Sequence, residues 1–236
     1  MYNTPSEQWN EEFQAGKVLL IDKPLTWTSF DAVKKIRIAT GVSKVGHAGT
    51  LDPLATGLLI ICTGKYTKKI NEYMAAEKEY IGSFTLGSTT PTYDLESDPI
   101  LGSDYSELSN ERIKEATKEF TGNIMQIPPA HSAIKKSGTP AYILARKGKE
   151  VKMDPRPVTV SVFEITNIEL PKVYFRVVCS TGTYIRSLAN DFGMSLGCGA
   201  HLSELRRTRI GEFNVGDAKS IEVFVEELKQ LKSDKI

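Results

Sequence analysis

The loop around Asp52 is the part of this sequence whose residue types are best suited to chemistry. Asp52 stands before Pro53 in a segment bounded by Gly46 and Gly57, and the apolar run Leu58 to Cys62 follows. Glycines permit close approaches that a side chain would block, and a proline disfavours the helical region for the residue before it. Such a loop can present a carboxylate to a substrate as a nucleophile or a base. A lone loop aspartate is more often a cap or turn residue, so Asp52 needs partners.

Arg186 is a candidate partner for this carboxylate. It stands one turn into a predicted helix, after a loop rich in serine, threonine and glycine, Ser180 to Thr183. A guanidinium there can reach a carboxylate from elsewhere in the chain, and the pair would hold Asp52 ionised and oriented. A plain surface cation is the alternative, which the apolar neighbours of Arg186 on the helix do not exclude.

The sequence lacks the residues that several other kinds of functional site require. Six residues rather than four separate Gly57 from Gly64, and Tyr66 stands where a phosphate loop needs serine or threonine. The three histidines have no metal-ligand spacing, and the sequence has no Gly-x-Ser-x-Gly elbow. The three cysteines are widely spaced without a Cys-x-x-Cys pair, so we expect buried, reduced thiols.

The composition is that of a globular protein. The chain has 236 residues, of which 40% are hydrophobic and 25% charged, and this excludes the disordered and fibrous classes. Its longest apolar run is far shorter than the roughly 20 residues of a membrane-spanning helix. Residues 1–16 are polar rather than a basic and apolar leader. We expect a cytoplasmic protein that does not bind membranes.

The net charge of +1 does not by itself indicate a nucleic-acid partner, but the charges are unevenly distributed. Residues 94–119 are dominated by carboxylates, whereas residues 135–156 hold seven lysines and arginines against two carboxylates. One surface of a nearly neutral protein is therefore predicted to be basic. On charge alone, two solvated faces are the preferred interpretation.

The elements that position these side chains follow from periodicity and helix caps. A strand predicted at 17–22 leads into the Lys23-Pro24 turn, and Thr28 with Asp31 resembles a capping box that opens a helix to about Ile38. Further strands are predicted at 58–62, 80–86, 158–170, 174–179 and 202–210, and further helices at 65–74, from 109, at 140–148, 183–196 and 221–231. Because no regular βαβ repeat occurs, the pattern favours an α+β fold with a mixed or antiparallel sheet.

The segment GHAGTLDPLATGLL at 46–59 resembles the signature of the TruB family of tRNA pseudouridine-55 synthases. The resemblance runs from Gly16 to about Phe213. The other matching motifs are Val18 to Pro24 with Trp27 to Ser29, Lys78 to Tyr80, Pro128-Pro129 with Ser132 to Lys135, Tyr142 with Ala145-Arg146, Gly182 to Arg186, and Gly197 to Leu202 through Leu205 to Arg207. So many matches in the family's order make a chance similarity very improbable.

The resemblance implies a fold and a reaction. The expected fold is a pseudouridine-synthase-like mixed, largely antiparallel sheet flanked by helices, with an inserted RNA-binding thumb. The expected reaction isomerises uridine 55 in the T-arm loop of tRNA without a cofactor or metal. The N1 glycosidic bond breaks, the uracil turns while held, and C5 bonds to the ribose. We expect a monomer whose partner is tRNA.

The resemblance also implies the catalytic group. Asp52 is the catalytic carboxylate, Tyr80 stacks on the target base and is a candidate for handling the C5 proton, and Arg186 pairs with Asp52. Leu205 packs against the uracil, and His47 occupies the gap that the flipped base leaves in the loop. A base buried in folded RNA must be extruded before a side chain can reach its sugar, and it then needs an aromatic face and an apolar wall.

Further residues are expected to bind RNA. They are Tyr184, Lys23, Lys135, Lys136 and Arg146, and the thumb that carries the last three spans about 123–157. Its cations would supply salt-dependent affinity for the RNA backbone. Lys23 has a second interpretation, in which the Lys-Pro turn is structural, and we slightly favour it.

The expected domains are a polar extension at 1–15, the catalytic domain at 16–213 and a helical tail at 214–236 without a full PUA domain. Pro91 stands where some relatives have aspartate, so Asp94 is the candidate for a second carboxylate beside Arg186, and His131 stands in place of an aromatic residue. Three alternatives stay open: a guide-RNA-dependent synthase subunit, a non-catalytic tRNA-binding or tRNA-folding module, and a glycosidase using Asp52 and Asp94.

Overall fold

The computed structural model describes residues 5–233 and, within them, all side chains except those of residues 5–9 and 232. The helices are α1 (Pro5–Ala15), α2 (Ser29–Thr40), α3 (Ile70–Ala75), α4 (Asn110–Ala116), α5 (Ala141–Arg146), α6 (Ile185–Ser195) and α7 (Ile221–Ser233). Short 3₁₀ turns occupy Gly64–Lys69, Thr117–Phe120 and Val215–Asp217.

The strands are β1 (Val18–Lys23), β2 (Val45–His47), β3 (Ala55–Thr63), β4 (Lys78–Leu86), β5 (Ser88–Thr89), β6 (Ile100–Leu101), β7 (Gly122–Gln126), β8 (Lys135–Lys136), β9 (Thr139–Pro140), β10 (Arg156–Glu169), β11 (Lys172–Cys179), β12 (Ala200–Ile210), β13 (Phe213–Asn214) and β14 (Lys219–Ser220). The chain folds into two compact units, the first made of the residues up to Glu79 and from Arg206 onward, the second of Tyr80 to Leu205.

The first unit is built on a mixed sheet. In it β1 pairs with β14 in parallel and with β3 in antiparallel, so that Ile21 lies opposite Lys219 on one side and Leu59 on the other. The short strand β2 adds to β3, antiparallel, and ends at His47 opposite Ile61. The catalytic candidate Asp52 lies in the loop that connects these two strands.

Strand β3 is buried on both faces. Leu59 and Ile61 join a core cluster with buried side chains of α1, α2 and α7. Leu58 and Ile60 join a second cluster on the opposite face of the strand, because successive side chains alternate. Double-sided burial explains why the sequence of β3 is a continuous apolar run without polar alternation.

The second unit contains β7, β10, β11, most of β4 and the first part of β12, together with an aromatic core. Strand β4 lies between β12 and β11, and the ladders from β11 to β10 and from β10 to β7 are antiparallel. Phe84 of β4 stacks on Phe175 of β11 with ring centroids 4.2 Å apart, and Phe163 of β10 lies 5.5 Å from Phe192 of α6. Helix α6, which begins with the segment that holds Arg186, is therefore fixed to the sheet by aromatic packing.

The structure confirms the predicted α+β fold with a mixed, largely antiparallel sheet, and most of the predicted elements. The capping box at Thr28 is present, and Gly41 ends α2 in the left-handed conformation. The helix predicted at 65–74 begins instead as a 3₁₀ turn and becomes α-helical only at Ile70. Helix α1, strands β2 and β7, and the two-residue strands β5, β6, β8, β9, β13 and β14 were not predicted. The first four residues of the predicted extension and the last three of the predicted tail lie outside the described residues.

The three cysteines are free and buried, as predicted. Burial raises the pKa of the Cys62 thiol to about 11, so that it stays protonated at neutral pH. Within residues 5–233, no helix combines the length and apolar character that a membrane crossing needs.

Candidate active site

The Asp52 loop is anchored on both sides of the carboxylate by the start of α2. The buried hydroxyl of Ser29 donates to Leu51 O at 3.1 Å and accepts from Leu51 N–H at 2.8 Å. One residue beyond Asp52, Pro53 O accepts from Thr26 N–H at 2.8 Å. Asp52 itself is half-buried, and its carbonyl accepts from Ala55 N–H at 3.0 Å, which closes the turn into β3.

A buried arginine of β12 holds the outer parts of the same loop. Arg207 is 1% exposed. Its Nε donates to Leu58 O at 2.8 Å and its Nη2 donates to Gly49 O at 3.2 Å. The guanidinium thus connects a residue before Asp52 with one after it, and it adds positive charge beneath the loop.

Lys23 is fully buried at the end of β1. Its ammonium donates to Pro24 O at 2.9 Å and to Trp27 O at 2.6 Å, and lies 3.5 Å from Pro53 O. Burial lowers the pKa of Lys23 to about 8, and the nearby Asp52 carboxylate opposes that shift. These contacts favour the structural interpretation of the Lys-Pro turn over a contact with phosphate, and they put a cation close to Asp52.

His47 ends β2, five residues before Asp52. Burial lowers its pKa, so the imidazole is neutral at pH 7. Its Nδ1 is buried and has no hydrogen-bond partner among the described residues. Because this atom is shielded from solvent, it does not itself offer a contact to RNA, and the predicted role of His47 stays a prediction.

In the second unit, Arg186 is 6% exposed and has partners from two segments. Its Nε lies 3.7 Å from the buried Asp94 Oδ2, Nη1 donates to Thr92 O at 3.3 Å, and Nη2 donates to His131 O at 3.0 Å. Asp94 is therefore a carboxylate partner of Arg186, as the sequence suggested. The backbone of His131, rather than its ring, supports the guanidinium, and burial lowers the pKa of that imidazole.

Tyr184 is fixed by a side chain that comes from β7. Gln126, which is buried, accepts from Tyr184 N–H at 2.8 Å and donates to Tyr184 O at 3.1 Å. Tyr184 is held in an extended conformation by these two bonds, and α6 therefore begins at Ile185, two residues later than predicted. This places Arg186 in the first turn of the helix.

Tyr80 and Leu205 lie on neighbouring strands of the second unit, β4 and β12. These strands approach so closely that a Cβ added at Gly82 would meet Glu204 O at 2.0 Å. Tyr80 is 9% exposed and Leu205 is half-buried. The two residues predicted to hold the base thus lie on neighbouring strands, and their role in holding it stays a prediction.

The cations of the thumb are partly neutralised. Lys136 pairs with Asp154 at 2.5 Å, and Arg146 lies 3.7 Å from Glu96 Oε2 and over the ring of Tyr142. Lys135 is exposed in the hairpin of β8 and β9.

Asp52, His47 and Lys23 belong to the first unit, and Tyr80, Tyr184, Arg186, Leu205 and the thumb belong to the second. The predicted pairing of Asp52 with Arg186 accordingly stays a prediction.

Three supporting residues, Ser29, Arg207 and Gln126, received no role from the sequence. Ser29 had a signal, because it shares the helical spacing of the buried residues Ala32, Val33 and Ile36 and so falls on the inward face of α2. Nothing in the local pattern distinguishes Arg207 from its neighbour.

Comparisons with known proteins agree with this architecture. Residues 37–185 match the N-terminal domain model of the TruB family pseudouridylate synthases, and residues 186–235 match the model of the tRNA pseudouridylate synthase B C-terminal domain. A chain in the crystal structure of a Cbf5-Nop10-Gar1 complex aligns with a TM-score of 0.76 and 32% identity, covering 100% of this chain and 61% of that one. The class that the α+β fold and these matches define is the pseudouridylate synthases.

Curated relatives match over nearly their whole length. The tRNA pseudouridine synthase B of Flavobacterium johnsoniae is 51% identical over 93% of this chain and 99% of its own. That of Phocaeicola vulgatus is 48% identical over 95% of this chain and 98% of its own. The chain belongs to the TruB family.

Proposed function

We propose that this chain isomerises uridine 55 in the T-arm loop of tRNA to pseudouridine. The observation that carries the proposal is the 51% identity, across 93% of the chain, to a relative named tRNA pseudouridine synthase B. In the reaction the N1–C1′ bond breaks and a C5–C1′ bond forms. The proton leaves C5 and N1 gains one, so the atoms balance without a co-reactant.

Asp52 is the catalytic carboxylate of the proposed reaction. Attack on the ribose, attack on the uracil and removal of a ribose proton all need a carboxylate at nearly the same place. The anchors at Leu51 and Pro53 support this assignment, because pre-orienting a reacting group removes much of the entropic cost of reaching the transition state. The nearby ammonium of Lys23 favours the ionised form that each of these routes requires.

The target base is held by Tyr80 and Leu205 after it leaves the RNA stack. An aromatic face and an apolar wall on neighbouring strands suit a flipped uracil. His47 fills the gap in the RNA loop, and its neutral state avoids burying a charge among bases.

Arg186 pairs with Asp52 in the substrate-bound enzyme. Its bonds to Thr92 O and His131 O orient the guanidinium. Tyr184, Lys135, Lys136 and Arg146 contact the RNA, with the thumb cations supplying salt-dependent affinity.

A guide-RNA-dependent synthase subunit is the second candidate, because a chain of a Cbf5-Nop10-Gar1 complex has a similar fold. The tRNA substrate is favoured by higher identity and by coverage of 99% of the relative's length, against 61% of the Cbf5-complex chain. The domain limits, the monomeric state and the cytoplasmic location stay predictions.

The test is incubation of the purified chain with unmodified tRNA, followed by mapping of pseudouridine by position. We expect modification at position 55 by the wild type, and none by Asp52→Asn, which keeps the size of the side chain but cannot act as a nucleophile or base. Asp22→Asn is the matched control, since Asp22 is a carboxylate of the same unit that pairs with Arg206. Modification at full rate by Asp52→Asn contradicts the role of Asp52, and modification only in the presence of a guide RNA supports the second candidate.

A further inference from the structure

Ser29 occupies an unusual position for a helix-start serine. It follows the true cap, Thr28, whose side chain and that of Asp31 form the capping box. Ser29 is 2% exposed and does not cap its own helix. Its hydroxyl instead turns inward and reaches across 22 positions of sequence to Leu51.

Two buried hydrogen bonds join the side chain of Ser29 to the backbone of Leu51. The Ser29 hydroxyl serves both the N–H and the C=O of Leu51, at 2.8 and 3.1 Å, in the manner of a strand partner. Leu51 is 3% exposed, so water does not readily replace a lost partner. Among residues 5–233, this one hydroxyl is the partner of both backbone polar groups of the residue before Asp52.

Residues at the start of α2 restrain the backbone on both sides of Asp52. The capping box fixes the backbone of Ser29, the hydroxyl fixes Leu51, and Thr26 N–H fixes Pro53 on the other side. Thr26 itself has a φ of 70°, a strained conformation for a β-branched residue, and such strain persists only where the surroundings impose it. The backbone of Asp52 is therefore confined from both sides by one segment, residues 26–29.

We propose that Ser29 is a positioning residue that holds the Asp52 loop in its reactive conformation before the substrate binds. The proposal rests on the proposed function, because it needs Asp52 to be the reacting carboxylate. Ser29 does not touch the substrate. Its removal affects the rate of the chemical step more than the affinity for tRNA, which depends on the thumb and other contacts.

The experiment compares kcat and KM for unmodified tRNA in Ser29→Ala and in a matched control, Thr40→Val. Thr40 is a buried hydroxyl of the same helix, but it bonds to Ile36 O within α2 and does not touch the loop. All assays run at a temperature at which circular dichroism shows the variants folded. We expect Ser29→Ala to lower kcat by about 10- to 100-fold, since displacement of a catalytic group by 1 Å can cost 10²-fold, with KM within about twofold. Thr40→Val should keep kcat.

Ser29→Thr, which keeps the hydroxyl, is measured in parallel and should recover most of kcat even if Ser29→Ala proves too unstable to assay. An unchanged kcat in Ser29→Ala, an equal loss in Thr40→Val, or a Ser29→Thr rate as low as that of Ser29→Ala would each overturn the proposal. Failure of the proposed function would look different, because the wild type itself would then form no pseudouridine.

Discussion

Replacing Gly57 with alanine should destabilise the protein at the strand that follows the Asp52 loop. Gly57 has a φ of +103°, and an added Cβ would lie 2.3 Å from Arg207 O and 2.8 Å from Arg207 N. Both are backbone atoms of the neighbouring strand β12, so neither can rotate away as the end of a flexible side chain would. The sequence predicted this kind of close approach from the glycine alone.

The magnitude follows from two separate costs. A residue with a Cβ at positive φ costs about 1–2 kcal/mol, and forcing atoms into a packed interior costs about 1–3 kcal/mol. Together they amount to about 2–5 kcal/mol of a total stability of about 5–15 kcal/mol. For a chain of this length, each kcal/mol lowers the melting temperature by about 2–4 °C, so we expect a fall of about 4–20 °C.

Two other glycines separate these costs in thermal unfolding followed by circular dichroism. Gly197 has a φ of +80° with nothing within 4 Å of an added Cβ, so Gly197→Ala measures the backbone cost alone. Gly216 has open space and no positive φ, so Gly216→Ala should melt near the wild type. If Gly57→Ala melts no lower than Gly197→Ala, the steric reasoning is refuted. Because Arg207 also holds Gly49 O, its displacement should lower pseudouridine formation as well.

The remaining predictions concern charge. Replacing Lys135 and Lys136 with alanine should weaken tRNA binding. It should also reduce the slope of the logarithm of the binding constant against the logarithm of the salt concentration by about one per lost phosphate contact. An unchanged slope would mean that the two lysines do not contact phosphate. Asp94→Asn breaks the buried pair with Arg186 and should lower the free energy of unfolding, measured by urea titration, by about 3–5 kcal/mol. Glu204→Gln breaks the exposed pair with Lys172 and should lower it by at most about 1 kcal/mol. Equal losses in the two variants would contradict the role of burial. The folded state loses the Lys23 proton near pH 8 and the unfolded state near 10.5, so the unfolded state binds more protons in between. The free energy of unfolding of the wild type should therefore rise from about pH 8 to 10 relative to Lys23→Met, and a flat difference would contradict this.

Local patterns were enough to predict most elements near the candidate site. The capping box at Thr28 and Asp31 lies within four residues, and the apolar run of β3 is long enough to indicate a buried strand. The capping box depends on residues that are close together in the sequence, and the burial of β3 follows from its apolar residue types.

Contacts between distant segments could not be predicted in the same way. Arg207 meets Gly49 across 158 positions, and Gln126 meets Tyr184 across 58. The second contact accounts for the late start of α6, because Gln126 holds Tyr184 in an extended conformation and bonds the Tyr184 N–H, which has no acceptor within the helix. The helix propensity of the segment around Tyr184 carries no information about a glutamine that lies 58 positions away in the sequence.

In both units, hydrogen bonds with backbone groups orient the candidate catalytic residues. In the first, Ser29, Thr26 and Arg207 bind backbone groups of the Asp52 loop. In the second, carbonyls of Thr92 and His131 bind the guanidinium of Arg186. These bonds avoid the cost of an unpaired buried polar group, which is about 1–3 kcal/mol. The proposed reaction requires binding energy to extract a base from folded RNA, and groups that are already oriented leave more of that energy for opening the substrate.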